Sequence, residues 1–164
     1  KGDNILKFKF YEVDGDYIKY LKENADKRIP NINYREHKKF FCGIVFSINN
    51  LNYFVPVSSN KKKVHTSFVI KYNNKIISSL RFSFMFPCPD QCLKIKDFSK
   101  EEYKYQILLR KELRYCNLNS EKIRKKAKEI YKLGTNYKTN NKFNICNFKL
   151  LEEKCLKYDM DKEK

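Results

Sequence analysis

Two Asn-Asn dipeptides, each flanked by runs rich in β-branched and aromatic residues, constrain the fold of this chain more than any other feature. Asn tolerates the positive φ that a two-residue hairpin turn requires at its central positions. The first dipeptide is Asn49-Asn50 and the second is Asn73-Asn74. The sequence therefore predicts two antiparallel β-hairpins. Their strands are expected at residues 40–48, 51–57, 67–72 and 76–86.

The remaining part of the first hundred residues shows weaker signals. Residues 5–13 alternate and are rich in Phe and Tyr, which is typical of a strand, and residues 93–97 indicate a shorter strand after a proline-containing break. Asp14-Gly15-Asp16 predicts a turn and a helix cap before a short helix. Residues 28–37 have no periodicity, so they predict a long loop of the kind that often carries function.

After residue 100 the apolar residues recur at helical spacing. Residues 101–116 and 120–133 predict two amphipathic helices, the second capped by Ser120 and with Gly134 near its end. Residues 148–158 predict one more helix, and the charged tail after it is expected to fray. Strands followed by helices predict an α+β fold around an antiparallel sheet, and 164 residues correspond to a single domain, 1–164.

The charge of the chain points to a polyanionic partner. Lys and Arg number 36 against 19 Asp and Glu, which gives a net charge of +17. A coding bias toward A/T-rich codons accounts for part of this excess, because Asn, Ile and Tyr are abundant as well. The surface still attracts phosphate. A hydrophobic content of 41% supports a core and argues against disorder.

The six cysteines and two histidines do not indicate a metal site. The sequence contains no Cys-x-x-Cys pair and no close Cys/His cluster, which argues against structural zinc, and no cofactor is predicted. There is also no signal peptide and no apolar run of membrane length. The bacterial or host cytoplasm is therefore the expected compartment, and no membrane partner is expected.

Residues 54–63 carry the clearest chemical signal, because a hydrophobic strand there ends in a polar, basic loop. RNA can be cut without a metal, since its own 2′-hydroxyl attacks the adjacent phosphorus. The protein must then supply a proton acceptor, a donor for the 5′ oxygen and cations for the phosphorane. An ordinary strand end and a solvated loop produce the same pattern. The side chains concerned are Ser58, Ser59, Lys61, Lys62 and Lys63.

Acid–base candidates lie both in this loop and elsewhere. His65 and His37 carry the imidazole groups that titrate near neutrality without help. A desolvated Lys61 is a further candidate base. Aromatic rings for base stacking or phosphate contacts are offered by Tyr17, Tyr34 and Tyr115, although most aromatic residues of such a chain pack in the core.

The same loop matches a second signature. Ser58-Ser59-Asn60-Lys61 fits Ser-x-x-Lys, which marks the acyl-enzyme site of penicillin-recognising proteins. That signature needs a helix start and Ser-Asp-Asn and Lys-Thr-Gly partners. None of these is present, and the Pro56 strand context does not fit, so this interpretation is set aside.

Five segments, in order along the chain, carry a family likeness. Residues 17–21 resemble a Tyr-Ile-x-Tyr-Leu helix, and residues 39–45 resemble a Lys-x-Phe-x-Gly-Ile-Val strand. Residues 54–62 resemble a Pro-Leu-Thr-Ser-Pro-Lys-Lys loop, and residues 81–87 parallel a strand ending in Met-x-Pro. Residues 146–154 match Cys-Asn-Phe-x-Leu-Leu-Glu-Glu-Lys. Together they resemble the ToxN/AbiQ/CptN group, the toxin endoribonucleases of type III toxin–antitoxin and phage-defence systems.

The resemblance implies a strongly twisted antiparallel sheet flanked by helices, like that of the MazF/Kid toxins. It also implies metal-independent, sequence-selective RNA cleavage that leaves a 2′,3′-cyclic phosphate and a 5′-hydroxyl. The antitoxin of this family is a short repeated RNA that folds as a pseudoknot and occupies the active site. The toxin processes its precursor RNA, stays bound to the product in a cyclic assembly, and otherwise cleaves cellular or phage mRNA.

The resemblance assigns roles to particular residues. Ser59 takes the place of the essential serine and Lys61 that of the essential lysine. Ser58 replaces a threonine and keeps its hydroxyl, whereas Asn60 replaces a proline, which implies a less rigid loop. Ser59 and Lys61 are then expected to bind and polarise the scissile phosphate. The proton acceptor stays open between Lys61, Tyr17 and His65.

Further positions follow from the same comparison of motifs. Tyr17 falls on a helix tyrosine near the site, and Lys39 falls on the lysine before the second strand, so both join the catalytic candidates. Tyr34 or Arg35 falls near a loop tyrosine, and Tyr115 matches an aromatic of the first long helix. The expected RNA-binding residues are Tyr34, Arg35, Lys62, Lys63, His65 and Tyr115.

Two rival functions share the basic surface. A non-catalytic RNA-binding protein would use the same groove, and only the pair Ser59 and Lys61 separates it in sequence from a nuclease. A ribosome-associated or DNA-binding module would also explain the net charge of +17, but the sequence shows no helix-turn-helix signal.

Overall fold

A computed structural model describes residues 7–34, 37–136, 138–139 and 141–162. Within these ranges, seven strands form an antiparallel sheet in the order β6-β7-β5-β4-β1-β9, with β8 pairing alongside β5. A separate two-stranded ribbon joins β2, Asn33–Tyr34, to β3, His37–Lys38. The strands of the main sheet are β1 Lys9–Val13, β4 Phe41–Ile48, β5 Leu51–Ser58, β6 Ser67–Tyr72, β7 Lys75–Arg81, β8 Phe86–Pro87 and β9 Leu93–Ile95.

Both predicted hairpins are confirmed. Asn49 and Asn50 have φ of 51° and 64°, and Asn73 and Asn74 have φ of 52° and 64°. Positive φ at both central residues is the geometry of a two-residue turn whose twist matches that of the flanking strands. Local turn chemistry therefore sets the register next to each turn, and an irregularity between Gly43 and Phe46 and another between Ile70 and Lys71 shift it farther along the two hairpins.

The strand predicted over residues 76–86 is wrong in its second half. Strand β7 ends at Arg81, and a 3₁₀ turn, Phe82–Phe84, separates it from β8. The interruption has a topological reason, because β7 and β8 pair with the same strand at different heights. Ser79 and Leu80 lie opposite the end of β5, whereas Phe86 and Pro87 lie opposite its first half.

Other boundaries also differ from the sequence prediction. The loop predicted over residues 28–37 contains β2 and the start of β3. The strand predicted over residues 93–97 ends at Ile95. In the described part of residues 5–13, the strand begins at Lys9.

Four helices within the described ranges complete the α+β fold that the sequence predicted. They are α1 Gly15–Asn24, α2 Tyr103–Leu118, α3 Ser120–Thr135 and α4 Phe148–Lys162. The predicted cap of α1 is confirmed, because the Asp14 carboxylate accepts a hydrogen bond from the Asp16 amide at 3.0 Å. Helix α4 continues to Lys162, so its last residues extend into the tail that was predicted to fray. None of these helices is both long and apolar enough to cross a membrane.

Ser120 does not cap α3, contrary to the prediction. It is the first helical residue, and the preceding Asn119 occupies the cap position without a capping hydrogen bond from its side chain. The Asn119 side-chain Nδ2 instead donates to the Tyr115 carbonyl of α2 at 2.8 Å. The two helices follow one another directly, so Asn119 serves the end of α2 rather than the start of α3.

A buried carboxylate ties the helices to the sheet. Glu152 of α4 accepts hydrogen bonds from the Tyr53 hydroxyl of β5 at 2.6 Å and from the Tyr131 hydroxyl of α3 at 2.7 Å. All three side chains lie in the hydrophobic core or at its margin. Both donors bind Glu152 Oε2, and the Lys149 ammonium lies 3.9 Å from Oε1, so burial of this charge is tolerable and α3 and α4 are fixed relative to β5.

Gly134 is required by close packing rather than by a helix end. It lies inside α3, and a Cβ at this position would come within 2.5 Å of the Phe148 ring and 2.7 Å of the Ile145 side chain. The absence of a side chain lets α3 approach the start of α4.

We expect Gly134→Ala to lower the free energy of unfolding by about 1–2 kcal/mol, because overpacking of the core outweighs the gain in helix propensity. The measurement is urea denaturation followed by circular dichroism. Gly15→Ala is the matched control, since a Cβ there meets Ile32 at an ordinary 3.6 Å, and this variant should be neutral or slightly stabilised. Equal effects of the two substitutions would contradict the packing explanation.

Candidate active site

The loop that follows β5 is held by hydrogen bonds of its own. The Ser58 hydroxyl accepts from the Asn60 amide at 3.1 Å, and the Asn60 side-chain oxygen accepts from the Lys62 amide at 2.8 Å. The Asn60 carbonyl accepts from the Ser79 hydroxyl of β7 at 2.7 Å. These bonds constrain the loop at the position where the family motif has a proline, so Asn60 replaces ring rigidity with hydrogen bonding.

A cavity of about 370 Å³ opens beside this loop. It lies between the end of β5, the segment from β3 to β4, strand β7 and helix α2. Its polar lining consists of His37, Lys38, Lys39, Ser58, Ser59 and Glu112. Its apolar and aromatic lining consists of Phe40, Val57, Ile77, Tyr105 and Leu108. Hydroxyl, ammonium, imidazole and carboxyl groups therefore converge on one concave surface, as in many enzyme sites.

Lys39 is the half-buried cation of this cavity. Burial, and to a smaller extent the nearby Arg81 guanidinium, lowers the pKa of the Lys39 ammonium to about 8. Its backbone is fixed by a hydrogen bond of 2.6 Å from the Lys39 amide to the Ile32 carbonyl. A lysine with such a pKa is neutral in a useful fraction of molecules near neutral pH, so it can accept a proton as well as supply charge.

One wall of the cavity is a stacked pair of rings. The His37 imidazole and the Tyr105 ring lie 3.8 Å apart between centroids with an interplanar angle of 11°. His37 Nδ1 lies 3.7 Å from Glu101 Oε1, and the buried Lys96 ammonium donates to Glu101 Oε2 at 3.0 Å. The Glu101 carboxylate therefore lies between the buried Lys96 ammonium and the His37 imidazole.

Glu112 of α2 is a site residue that the sequence analysis missed. It is 4% exposed, and its Oε1 atom has no hydrogen-bond partner in the described part of the chain. Burial raises the pKa of the Glu112 carboxyl to about 7. The sequence did contain an indication of this role. Leu109 and Cys116 place position 112 on the apolar face of the predicted helix, where a glutamate is unusual.

The structure brings together three of the predicted catalytic residues. Ser58, Ser59 and Lys39 line the same cavity. Lys61 and Lys62 are exposed on the adjoining loop, beside the cavity rather than in its lining. The hydroxyls and the half-buried amine therefore face the cavity, and the loop lysines provide charge next to it.

Three of the other predicted RNA-binding residues border a second groove, between β6 and the helices α2 and α3. Lys63, His65 and Tyr115 lie there together with Lys71, Lys122 and Lys126. His65 Nε2 is 3.4 Å from Glu129 Oε2, and its carbonyl accepts a hydrogen bond from the Lys126 ammonium at 2.9 Å. His65 is therefore a groove residue, separate from the cavity that Ser58 and Ser59 line.

Tyr17 was predicted near the site, but the structure places it in the core. It is 0% exposed, and its hydroxyl donates to the Pro87 carbonyl at 2.6 Å. Its ring packs edge-on against Tyr158 of α4 at 5.0 Å. Burial, reinforced by Cys155, raises the pKa of its phenol, so Tyr17 is suited to packing rather than to proton transfer. Tyr34 belongs to β2, whereas Arg35 lies outside the described residues.

Across the residues with described positions, no group of three or more His, Cys, Asp or Glu side chains has the arrangement of a metal site. The polar groups of the cavity are two hydroxyls, a carboxyl, an imidazole and ammonium groups. This set is suited to proton transfer and to binding a phosphodiester.

Comparison with known proteins connects this geometry to a family. The family model described as "Toxin ToxN, type III toxin-antitoxin system" matches residues 9–156. The chain belongs to this family. The sequence resemblance is thereby confirmed.

Curated relatives extend over most of the chain. Endoribonuclease ToxN of Pectobacterium atrosepticum is 32% identical, with 89% of this chain and 91% of the relative covered. Endoribonuclease AbiQ of Lactococcus lactis subsp. lactis is 30% identical, with coverages of 93% and 90%. Endoribonuclease ToxN of Bacillus thuringiensis subsp. kurstaki is 29% identical, with coverages of 92% and 84%.

Solved structures agree with these sequence relationships. A structure described as showing selective toxin inhibition by a non-coding RNA pseudoknot superposes with a TM-score of 0.84 at 28% identity, covering 94% of this chain and 99% of that one. The structure of AbiQ, described as a lactococcal anti-phage endoribonuclease, gives a TM-score of 0.81 at 28% identity with the same coverages. The ToxN-family fold is therefore shared over nearly the whole chain.

The buried Glu112 carboxyl makes stability depend on pH. Its pKa rises from an ordinary 4.5 to about 7 on folding, so the folded state loses stability as pH increases between these values. We expect the difference in unfolding free energy between Glu112→Gln and the parent to grow by about 3 kcal/mol from pH 4.5 to pH 8, at about 1.4 kcal/mol per pKa unit.

The measurement is urea denaturation of both proteins at the two pH values. Because the proteins share every other titrating group, including Lys39 and Tyr105 at the cavity, their difference isolates Glu112. A difference that stays constant between the two pH values would contradict the prediction.

Proposed function

We propose that this chain is the endoribonuclease toxin of a type III toxin–antitoxin system and that it cleaves RNA by metal-independent transesterification. The observation that carries the proposal is the cavity at the end of β5, where Ser58, Ser59 and Lys39 converge beside the exposed Lys61 and Lys62. The endoribonuclease relatives, at 29–32% identity, support the same reaction class.

The proposed reaction begins with phosphate binding. The Ser58 and Ser59 hydroxyls donate hydrogen bonds to the scissile phosphodiester, and the loop ammonium groups of Lys61 and Lys62 neutralise the charge that develops on the phosphorane. No external nucleophile or metal-bound water is needed, because the attacking group is the 2′-hydroxyl of the RNA itself.

We assign the proton acceptor to Lys39 rather than to Lys61, Tyr17 or His65, because Lys39 is half-buried and lines the cavity. Its neutral amine takes the 2′ proton as the 2′ oxygen bonds to phosphorus and the bond from phosphorus to the 5′ oxygen breaks. His37, in the same cavity, acts as the acid in its imidazolium form, so it gives a proton to the leaving 5′ oxygen and becomes a neutral imidazole. The products are a 2′,3′-cyclic phosphate and a 5′-hydroxyl.

The proposed partners are RNAs. The substrates are cellular or phage mRNA, and the inhibitor is a repeated pseudoknot RNA that the toxin processes and that occupies its site in a cyclic assembly within the bacterial cytoplasm. Support comes from related structures described as a toxin inhibited by a non-coding RNA pseudoknot and as a bacterial antiviral system regulated by a processed non-coding RNA. The net charge of +17 suits both kinds of RNA.

We expect Ser59→Ala to lower cleavage of an end-labelled RNA in EDTA by about 100- to 1,000-fold, because a donor to the transition state is removed. Product ends are identified by mass spectrometry. Ser47→Ala is the control, since Ser47 is exposed at the opposite end of the same hairpin, and it should cleave at the parental rate. RNA binding without any cleavage by the parent would favour a non-catalytic RNA-binding protein.

The proposed base predicts a pH profile. We expect the rising limb of kcat/KM against pH to climb by about tenfold per pH unit below pH 8, because Lys39, whose pKa is about 8, must be neutral to accept a proton. Lys39→Arg keeps the charge but not the basicity, so it should lose most of the activity and the rising limb. An arginine variant with near-parental activity would instead assign Lys39 to charge stabilisation.

A further inference from the structure

We propose that the cavity binds one nucleobase of the RNA, and that Glu112 selects a base carrying an exocyclic amino group. This inference rests on the proposed function, because it names the part of the substrate that enters the site. It concerns recognition and does not change the assignment of the groups that act on the phosphate.

The first argument is the unsatisfied Glu112 carboxyl. Glu112 is 4% exposed, lines the cavity and has a buried oxygen without a hydrogen-bond partner among the described residues. An unpaired buried acceptor of this kind is unfavourable in the free protein, and natural proteins rarely retain one without a reason. A ligand that brings an N–H donor into the cavity supplies the missing partner.

A second buried glutamate of the same chain sharpens this argument. Glu152 is 7% exposed, but its carboxylate accepts hydrogen bonds from the hydroxyls of Tyr53 and Tyr131. This fold therefore satisfies a buried carboxylate where the role is structural. Glu112 lies equally deep, but its Oε1 atom accepts no such hydrogen bond among the described residues, and the one hydroxyl that acts on its carboxyl, that of Ser78, lowers the pKa less than burial raises it. The side chain also lines a cavity.

The shape and lining of the cavity suit a flat heterocycle. The stacked His37 and Tyr105 rings form one wall, and Phe40, Ile77 and Leu108 supply apolar surface. Unpaired RNA bases are typically held by stacking on such rings and by hydrogen bonds at their polar edge. A volume of about 370 Å³ lies within the range of small-molecule sites and exceeds what a water molecule needs.

The chemistry of the carboxylate sets the preference among bases. Carboxylate oxygens accept hydrogen bonds, and the exocyclic amino groups of adenine, cytosine and guanine donate them. Uracil has no amino group, and its carbonyl oxygens flank its single N–H, so they would face the carboxylate and repel it. The cavity is therefore expected to disfavour uracil by roughly 10- to 100-fold, the range of one well-placed base contact.

The position of the base follows from the shared lining. Ser58 and Ser59, which are assigned to the scissile phosphate, border the same cavity as Glu112. The selected base therefore belongs to a nucleotide next to the bond that is cut. Base recognition and phosphate binding are coupled through one nucleotide, which orients the 2′-hydroxyl for attack.

The test compares RNA oligonucleotides that differ in one amino group. After cleavage sites are mapped, the base beside the cut is replaced by the analogue that lacks only its exocyclic amine, such as purine for adenine. The parent is expected to lose roughly 10- to 100-fold in kcat/KM on the analogue, and Glu112→Met, which has similar volume and no acceptor, is expected to lose this discrimination. Glu153→Met, on an exposed position of α4, should behave like the parent.

Two outcomes would overturn the inference. One is a parent enzyme that cleaves the amine-deleted and normal RNAs equally well, a result that does not depend on any variant folding correctly. The other is a folded Glu112→Met variant that keeps the full parental preference. Affinity for the same RNAs with a 2′-deoxy residue at the cut site reports base selection without cleavage. Failure of the parent to cleave any RNA would instead count against the proposed function.

Discussion

Strand β5 is the element on which the rest of this structure depends. One of its edges pairs with β4, and the other pairs with β7 near its end and with β8 near its beginning. Its Tyr53 anchors the Glu152 carboxylate that holds two helices, and its last residue, Ser58, begins the loop beside the cavity. Because the same strand is fixed on both edges and at its core face, the loop that follows it starts from a rigid position.

Features encoded by local chemistry were predictable from the sequence. The hairpins were correct because positive φ at Asn49-Asn50 and Asn73-Asn74 is decided within a few residues, and the α1 cap was correct for the same reason. The break between β7 and β8 could not be read from an apolar run such as residues 76–86. It arises because both strands share an edge of β5, which is a long-range constraint.

The residues of the candidate site also fall into those that local sequence predicted and those that depend on long-range contacts. Ser58 and Ser59 were recognised from a contiguous motif, and their place at the cavity follows from the end of β5. Family likeness pointed to Tyr17 as well, but a motif gives the position of a residue without its surroundings, and Tyr17 is enclosed by α4. Glu112 was missed because its importance exists only once α2 covers the sheet and brings residue 112 beside residues 39 and 59.

Groups that are poorly satisfied in the free protein lie at the cavity, which Glu112 lines, and on the adjoining strand β7. Within the described ranges, the buried polar side-chain atoms lacking a partner are Ser78 Oγ, Arg81 Nε and Glu112 Oε1, from β7 and the facing helix α2. The Lys39 ammonium beside Arg81 adds repulsion between like charges. A single RNA nucleotide carries both an anion and amino donors, so it complements the cations and the carboxylate together. Under the proposed base recognition, the cost of an unsatisfied site in the free protein is recovered as selectivity for the RNA.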